Sequence, residues 1–126
     1  MSVFKDQATF MEACGQTVGT HNQQQFEMYR TLIEEEFKEF IVAFESGDRV
    51  EMFDGLLDMM VVCIGAGHSA GFPMEAGWDT VALSNLKKID PETGLVRRRE
   101  DGKILKPEGW QPPTKKLARL IGESRG

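Results

Sequence analysis

Residues 22–68 read NQQQFEMYRTLIEEEFKEFIVAFESGDRVEMFDGLLDMMVVCIGAGH, and this stretch decides the fold. From Asn22 to Phe44 the apolar positions Phe26, Tyr29, Leu32, Ile33, Phe37, Phe40, Ile41 and Phe44 recur at helical spacing, as one stripe of an amphipathic helix requires. Ser46-Gly47-Asp48 supplies the stop. Residues 49–68 predict a second helix, apolar nearly all the way round from Met52 to Ile64, and such a helix is expected to be buried. The connection is short, so the two helices should be antiparallel neighbours.

Outward from this pair, residues 3–13 place Val3, Phe10 and Met11 at approximately helical spacing before Gly15 and Gly19 break the pattern. After the turn Gly71-Phe72-Pro73, residues 74–88 resume helical periodicity through Ala76, Val81, Leu83 and Leu86. The remainder changes character. GLVRRRE and KILK, joined at Asp101-Gly102, predict two short strands and a tight turn, a small hairpin or ordered loop. Trp110-Gln111-Pro112-Pro113 cannot continue a regular element, and TKKLARLIGE predicts a short terminal helix. The expectation is an all-α, four-helix-bundle-like fold with a C-terminal hairpin or loop. It forms one domain over residues 1–126, with a helical core at 3–88 and a basic tail at 89–126.

Carboxylates stand out on both central helices. Glu36 and Glu39 share a face of the first, as do Asp54 and Asp58 on the second, because side chains three or four apart align along a helix. Asp54 and Asp58 sit among Met52, Phe53, Leu56, Leu57, Met59 and Met60, an expensive place for a charge. On their own they could occupy the one exposed strip of that helix. With Glu35, Glu36 and Glu39 on the neighbouring helix, two acidic surfaces can meet, and a stable arrangement then calls for a cation. Oxygen-only ligands suit magnesium or manganese. Glu51 could join this strip or lie on its rim.

Charge is divided along the chain. The net charge is -5, but residues 1–80 hold 14 acidic and 4 basic side chains, whereas residues 81–126 hold 6 and 11. A metal-gathering acidic face and an anion-meeting basic segment suit a metal-dependent phosphate enzyme, although blocks of like charge also serve as solvated surface. Cys14 and Cys63 have no CxxC spacing, which argues against a disulfide framework or thiolate metal site. No signal or membrane-spanning pattern is read, so a reduced, cytoplasmic protein is expected. No Gly-x-x-x-x-Gly-Lys loop is present, and the Glu-x-x-His pairs of diiron bundles are missing. His21 and His68 lack ligand-spaced partners and are expected at helix ends or the surface. Trp78 and Trp110 could stack on a base, but filling a core or interface is the commoner use of tryptophan.

LIEEEFKEF followed by DGLLDMMVVCIGAG resembles the all-α nucleoside triphosphate pyrophosphohydrolases. This MazG-like superfamily also contains phosphoribosyl-ATP pyrophosphohydrolase and the dimeric dUTPases. SNLKKID and EDGKILKPEGWQPP continue the resemblance, which covers about residues 24–113. The second acidic motif fits in two registers: Glu51 with Asp54 satisfies Glu-x-x-Asp, and Asp54 with Asp58 matches the spacing of short MazG-like members. The latter is preferred for the apolar helix that follows. The resemblance implies that Glu36, Glu39, Asp54 and Asp58 hold magnesium and that Glu35 orients or deprotonates the attacking water. It further implies that Asn85, Lys88 and Lys103 contact the substrate, with Lys106 a further candidate to close over the triphosphate.

The implied reaction splits a nucleoside triphosphate between the α and β phosphates, giving a nucleoside monophosphate and pyrophosphate. Phosphoribosyl-ATP is the alternative substrate. A homodimer or homotetramer is expected, with neither membrane nor nucleic acid as partner. A helical interaction module with an acidic groove and basic tail is the competing class. Lys88 without the resemblance would serve only the helix dipole, and Arg97, Arg98 and Arg99 suit a solvated surface.

Overall fold

The computed structural model describes residues 2–125 and contains five helices: α1 (Val3–Ala13), α2 (Gln23–Ser46), α3 (Arg49–Ser69), α4 (Met74–Leu86) and α5 (Thr114–Leu120). Among the described residues there is no strand, and the all-α expectation stands. None of the described helices is long and apolar enough to cross a membrane. The chain divides into two compact units, Met1–Met74 and Glu75–Gly126.

In the first unit the α2–α3 hairpin is set by its caps. Asn22 accepts a hydrogen bond from the Gln25 backbone N–H at 3.1 Å, which fixes the start of α2. Gly47, at φ 74°, ends it in the left-handed conformation that glycine adopts without strain. Asp48 then caps α3 by accepting from the Glu51 N–H at 3.2 Å. Two residues therefore stop one helix and start the next, and α3 must fold back along α2.

Met11, Tyr29, Val62 and Ala66 form the core of this unit, with Val18, Phe26, Leu32 and Ile33 packed on it. Small residues on α3 allow the close approach. A Cβ at Gly55 would meet Phe40 at 3.4 Å, and one at Gly65 would collide with the Tyr29 ring. A polar frame ties in α1 and the loop after it. Tyr29 Oη donates to Gln16 Oε1 at 2.6 Å, and Gln25 Nε2 donates to Thr17 O and Ser69 Oγ, each at 2.7 Å. The His68 ring pairs with Phe4 O at 2.8 Å. His68 does lie at a helix end, but it is buried there as a docking point for α1.

The expected burial of α3 is corrected by the structure. Its inner face is covered, whereas Val50, Phe53, Leu56, Leu57, Met60 and Val61 are 42–75% exposed. Composition requires a nearly all-apolar helix to be covered; within this unit α2 packs on one flank and α1 on only part of another.

In the second unit, α4 and α5 flank a long irregular segment. The two predicted strands are corrected to isolated antiparallel bridges, Ile89 with Val96 and Arg98 with Ile104. The tight turn itself forms: Gly102 has φ 85°, and Arg99 N–H donates to Lys103 O at 2.8 Å. A pair this short with no third strand lacks the neighbours that extend a ladder.

Gly65→Ala should destabilise the protein by about 1–3 kcal/mol through overpacking against Tyr29. Gly77→Ala, where an added Cβ makes only ordinary contact with Leu117, should stabilise by about 0.5–1 kcal/mol. Urea unfolding of the two variants checks this contrast.

Candidate active site

Glu36 and Glu39 lie on α2, one turn apart, and Asp54 and Asp58 lie on α3 with the same relation. The hairpin brings these four together. Burial pushes the Glu36 carboxyl above its ordinary value, and the charges of Glu39, Asp58 and Asp54 push it the same way. The Asp58 carboxyl is also raised, first by burial, then by Asp54 beside it and by Glu39.

One atom marks the centre of this group. Glu36 Oε2 is buried and has no hydrogen-bond partner. A buried carboxylate oxygen left without a donor is costly. None of the four carboxylates is in an ion pair among the described residues; the ion pairs found there are Arg30–Glu34, Arg97–Asp90 and Arg99–Asp101. The cluster therefore has negative charge, an orphaned acceptor and no internal cation.

Its donors are hard oxygens, the set that magnesium and manganese take. The side chains are gathered without being converged: no group of three or more His, Cys, Asp or Glu among the described residues already has metal-holding geometry. This is compatible with magnesium, which keeps several waters and is bound through one or two carboxylates together with substrate phosphates. The donor chemistry and the orphaned Glu36 oxygen thus fit a divalent cation.

Glu35 is exposed on α2 next to Glu36, and it is not among the groups that act on Glu36 or Asp58. Glu34 pairs with Arg30 at 3.5 Å, a surface contact. Glu51 lies with Glu39 in a cleft of about 440 Å3 at the turn end of the hairpin, also lined by Lys38, Ser46 and Asp48. Glu51 is likewise absent from the groups acting on Glu36 and Asp58.

In the second unit, Asn85 and Lys88 come together: Lys88 Nζ donates to Asn85 Oδ1 at 3.0 Å. Lys103 is exposed in the 98–104 turn, where its backbone N–H donates to Asp101 Oδ1 at 3.0 Å. Lys88 Nζ also lies 5.2 Å from the Trp110 ring centroid, and Lys106 Nζ lies 4.8 Å from it. Sequence reasoning weighed Trp110 and Lys106 separately and missed their association. No periodicity signals it, because the ring is placed by an irregular loop.

A family model described as phosphoribosyl-ATP pyrophosphohydrolase matches residues 7–85, more than half of the chain. The matched span includes Glu35, Glu36, Glu39, Asp54, Asp58 and Asn85, and ends before Lys88 and Lys103. No curated protein matches the chain.

Because the Glu36 and Asp58 carboxyls are raised in the folded state, that state holds protons the unfolded chain has released. The linked stability is fully present below the ordinary carboxylate values and is lost as pH rises through the raised ones. In chelator, the wild-type Tm should therefore fall over that interval, and Glu36→Gln should flatten the fall. Thermal melts of both proteins across a pH series, with and without magnesium, test this; magnesium should reduce the wild-type slope.

Proposed function

As the chain belongs to the phosphoribosyl-ATP pyrophosphohydrolase family, within the MazG-like all-α superfamily, and is a hydrolase of a nucleotide pyrophosphate bond, we propose that it cleaves a nucleoside triphosphate between the α and β phosphates with a divalent cation. The observation that carries this reading is the orphaned Glu36 oxygen inside a four-carboxylate cluster. Glu36, Glu39, Asp54 and Asp58 would hold magnesium, with manganese as a substitute. When bound, the cation supplies charge neutralisation to the phosphate oxygens.

The chain's own groups do the rest. Glu35, exposed beside the cluster, is the base that orients the attacking water and takes its proton. Its exposure leaves it accessible to that water. Lys88, steered by Asn85, and Lys103 offer ammonium donors to the phosphates. Glu51, at the cleft beside Glu39, is the alternative fourth acidic ligand.

The family match favours a second reading, in which the triphosphate is carried by phosphoribosyl-ATP. The bond broken is the same, and the substrates differ at the far end of the nucleoside. The exposed α3 face from Val50 to Val61 supports a homodimer or homotetramer, since contiguous apolar surface of this kind marks an interface. A monomer in sedimentation at micromolar concentration would contradict that assembly.

Pyrophosphate release should be measured from a panel of nucleoside triphosphates and phosphoribosyl-ATP, with magnesium or chelator. Release should require the cation and should fall about a hundredfold or more in folded Glu39→Ala, the scale of losing one charge-stabilising group. Folded wild-type protein that releases none from any of them would overturn the hydrolase reading in favour of an interaction module.

A further inference from the structure

Trp110 is held in place from several directions. Gly109, at φ 80°, closes a turn in which the Trp110 N–H donates to Pro107 O at 3.1 Å. Pro112 and Pro113 stiffen the chain on the other side. The indole Nε1–H donates to Ser84 O at 2.8 Å. That carbonyl is available because α4 ends there: the Lys88 N–H turns to Asn85 O at 3.1 Å instead of continuing the helical ladder. The indole therefore satisfies an orphaned helix-end acceptor and is locked by it.

Two cations stand over this ring. Lys88 and Lys106 place their ammonium groups 5.2 and 4.8 Å from the ring centroid. Neither is in an ion pair among the described residues, whereas the nearby arginines Arg97 and Arg99 are neutralised by Asp90 and Asp101. Trp110 also walls a cavity of about 600 Å3, with Leu83, Pro107 and Pro113 as apolar lining and with Lys87 and Lys116 balanced by Asp79 and Glu108, whereas Lys88 and Lys106 lie over the ring outside that lining. This size lies within the ordinary range of small-molecule sites.

We infer that the Trp110 indole is a stacking platform for the nucleobase of a nucleotide, and that Lys88 and Lys106 take its phosphates. The inference deepens the proposed function and rests on the reading that the substrate is a nucleotide. An ammonium over a half-buried aromatic ring is held by a modest attraction, whereas a phosphate oxygen offers it a charge-assisted hydrogen bond. A nucleotide would draw both lysines from the ring to its phosphates and leave the indole for the base. Every base has a π face, so the platform contributes affinity more than base selectivity. Lys88 thereby exchanges its contacts with the Asn85 amide oxygen and the indole for phosphate.

The test uses the full chain carrying Trp78→Phe, so that Trp110 is the sole tryptophan emitter. Its fluorescence is titrated in chelator with a nucleoside triphosphate, the matching nucleoside, inorganic tripolyphosphate and a single-stranded oligonucleotide. The triphosphate should quench saturably and bind more tightly than the nucleoside, and tripolyphosphate should compete without comparable quenching.

Trp110→Ala should weaken nucleotide binding by about ten- to a hundredfold, the scale of losing one base–aromatic stack, read by calorimetry and as a raised KM. Trp110→Phe loses the bond to Ser84 but keeps a ring, and should retain most of the affinity. This separates stacking from folding. Unchanged emission with nucleotide, equal quenching by tripolyphosphate, response to the oligonucleotide alone, or wild-type KM in folded Trp110→Ala would each overturn the inference. Saturable nucleotide quenching in a protein that releases no pyrophosphate would support the site while removing the proposed hydrolysis.

Discussion

Glu36 keeps a carboxylate oxygen buried where α2 meets α3, with no donor to satisfy it, and the organisation of the first unit follows from tolerating that group. Three further carboxylates surround it, two of them delivered by the helix opposite. Repulsion among them opposes the packing that hydrophobic contact favours. The hairpin holds because its other contacts are close: Gly55 admits Phe40, Gly65 admits Tyr29, and the Gly47-Asp48 turn leaves little freedom to separate the helices. Stability along one side of α3 thus supports electrostatic tension on another. The cation proposed above would convert that tension into attraction.

The apolar surface carries a related tension. α3 is hydrophobic around most of its circumference, yet the first unit covers only part of it. The small residues that permit tight packing against α2 are confined to the inner face, and bulky Phe53, Leu56, Leu57 and Met60 remain on the outer ones. One helix therefore serves three surfaces: a core contact, a carboxylate flank and an exposed apolar face. Under the proposed function, substitutions on α3 would affect stability, cation affinity or association according to the face they fall on.

Much of this was legible in the sequence, for identifiable reasons. Asn22, Gly47 and Asp48 are strong helix punctuation, so the ends of α2 and the start of α3 could be read almost to the residue. Asp54 and Asp58 stand out in the sequence because charges in an apolar helix are expensive. What could not be read was what covers what. The burial of His68 against Phe4 and the exposure of Phe53 depend on where α1 lies, which helical periodicity does not encode. The Asp101-Gly102 turn forms as its chemistry predicts, but the segments flanking it are too short to pair beyond single bridges. Glu35 and Glu36 are equivalent neighbours in sequence; only three-dimensional packing covers one oxygen of Glu36 and leaves Glu35 exposed. The gathering of Lys88 and Lys106 around Trp110 depends on a released helix-end carbonyl, which no spacing rule announces.

The most direct measurement is the titration of Mn2+ into the metal-free protein, followed by loss of the electron paramagnetic resonance signal of the aqueous ion, for wild type, Glu36→Gln and Asp58→Asn. The account predicts saturable binding to the wild type, weakened in both variants while each remains folded. Mn2+ that stays free in the presence of folded wild-type protein, or variants that bind it as the wild type does, would contradict the assignment of this carboxylate cluster as a cation site.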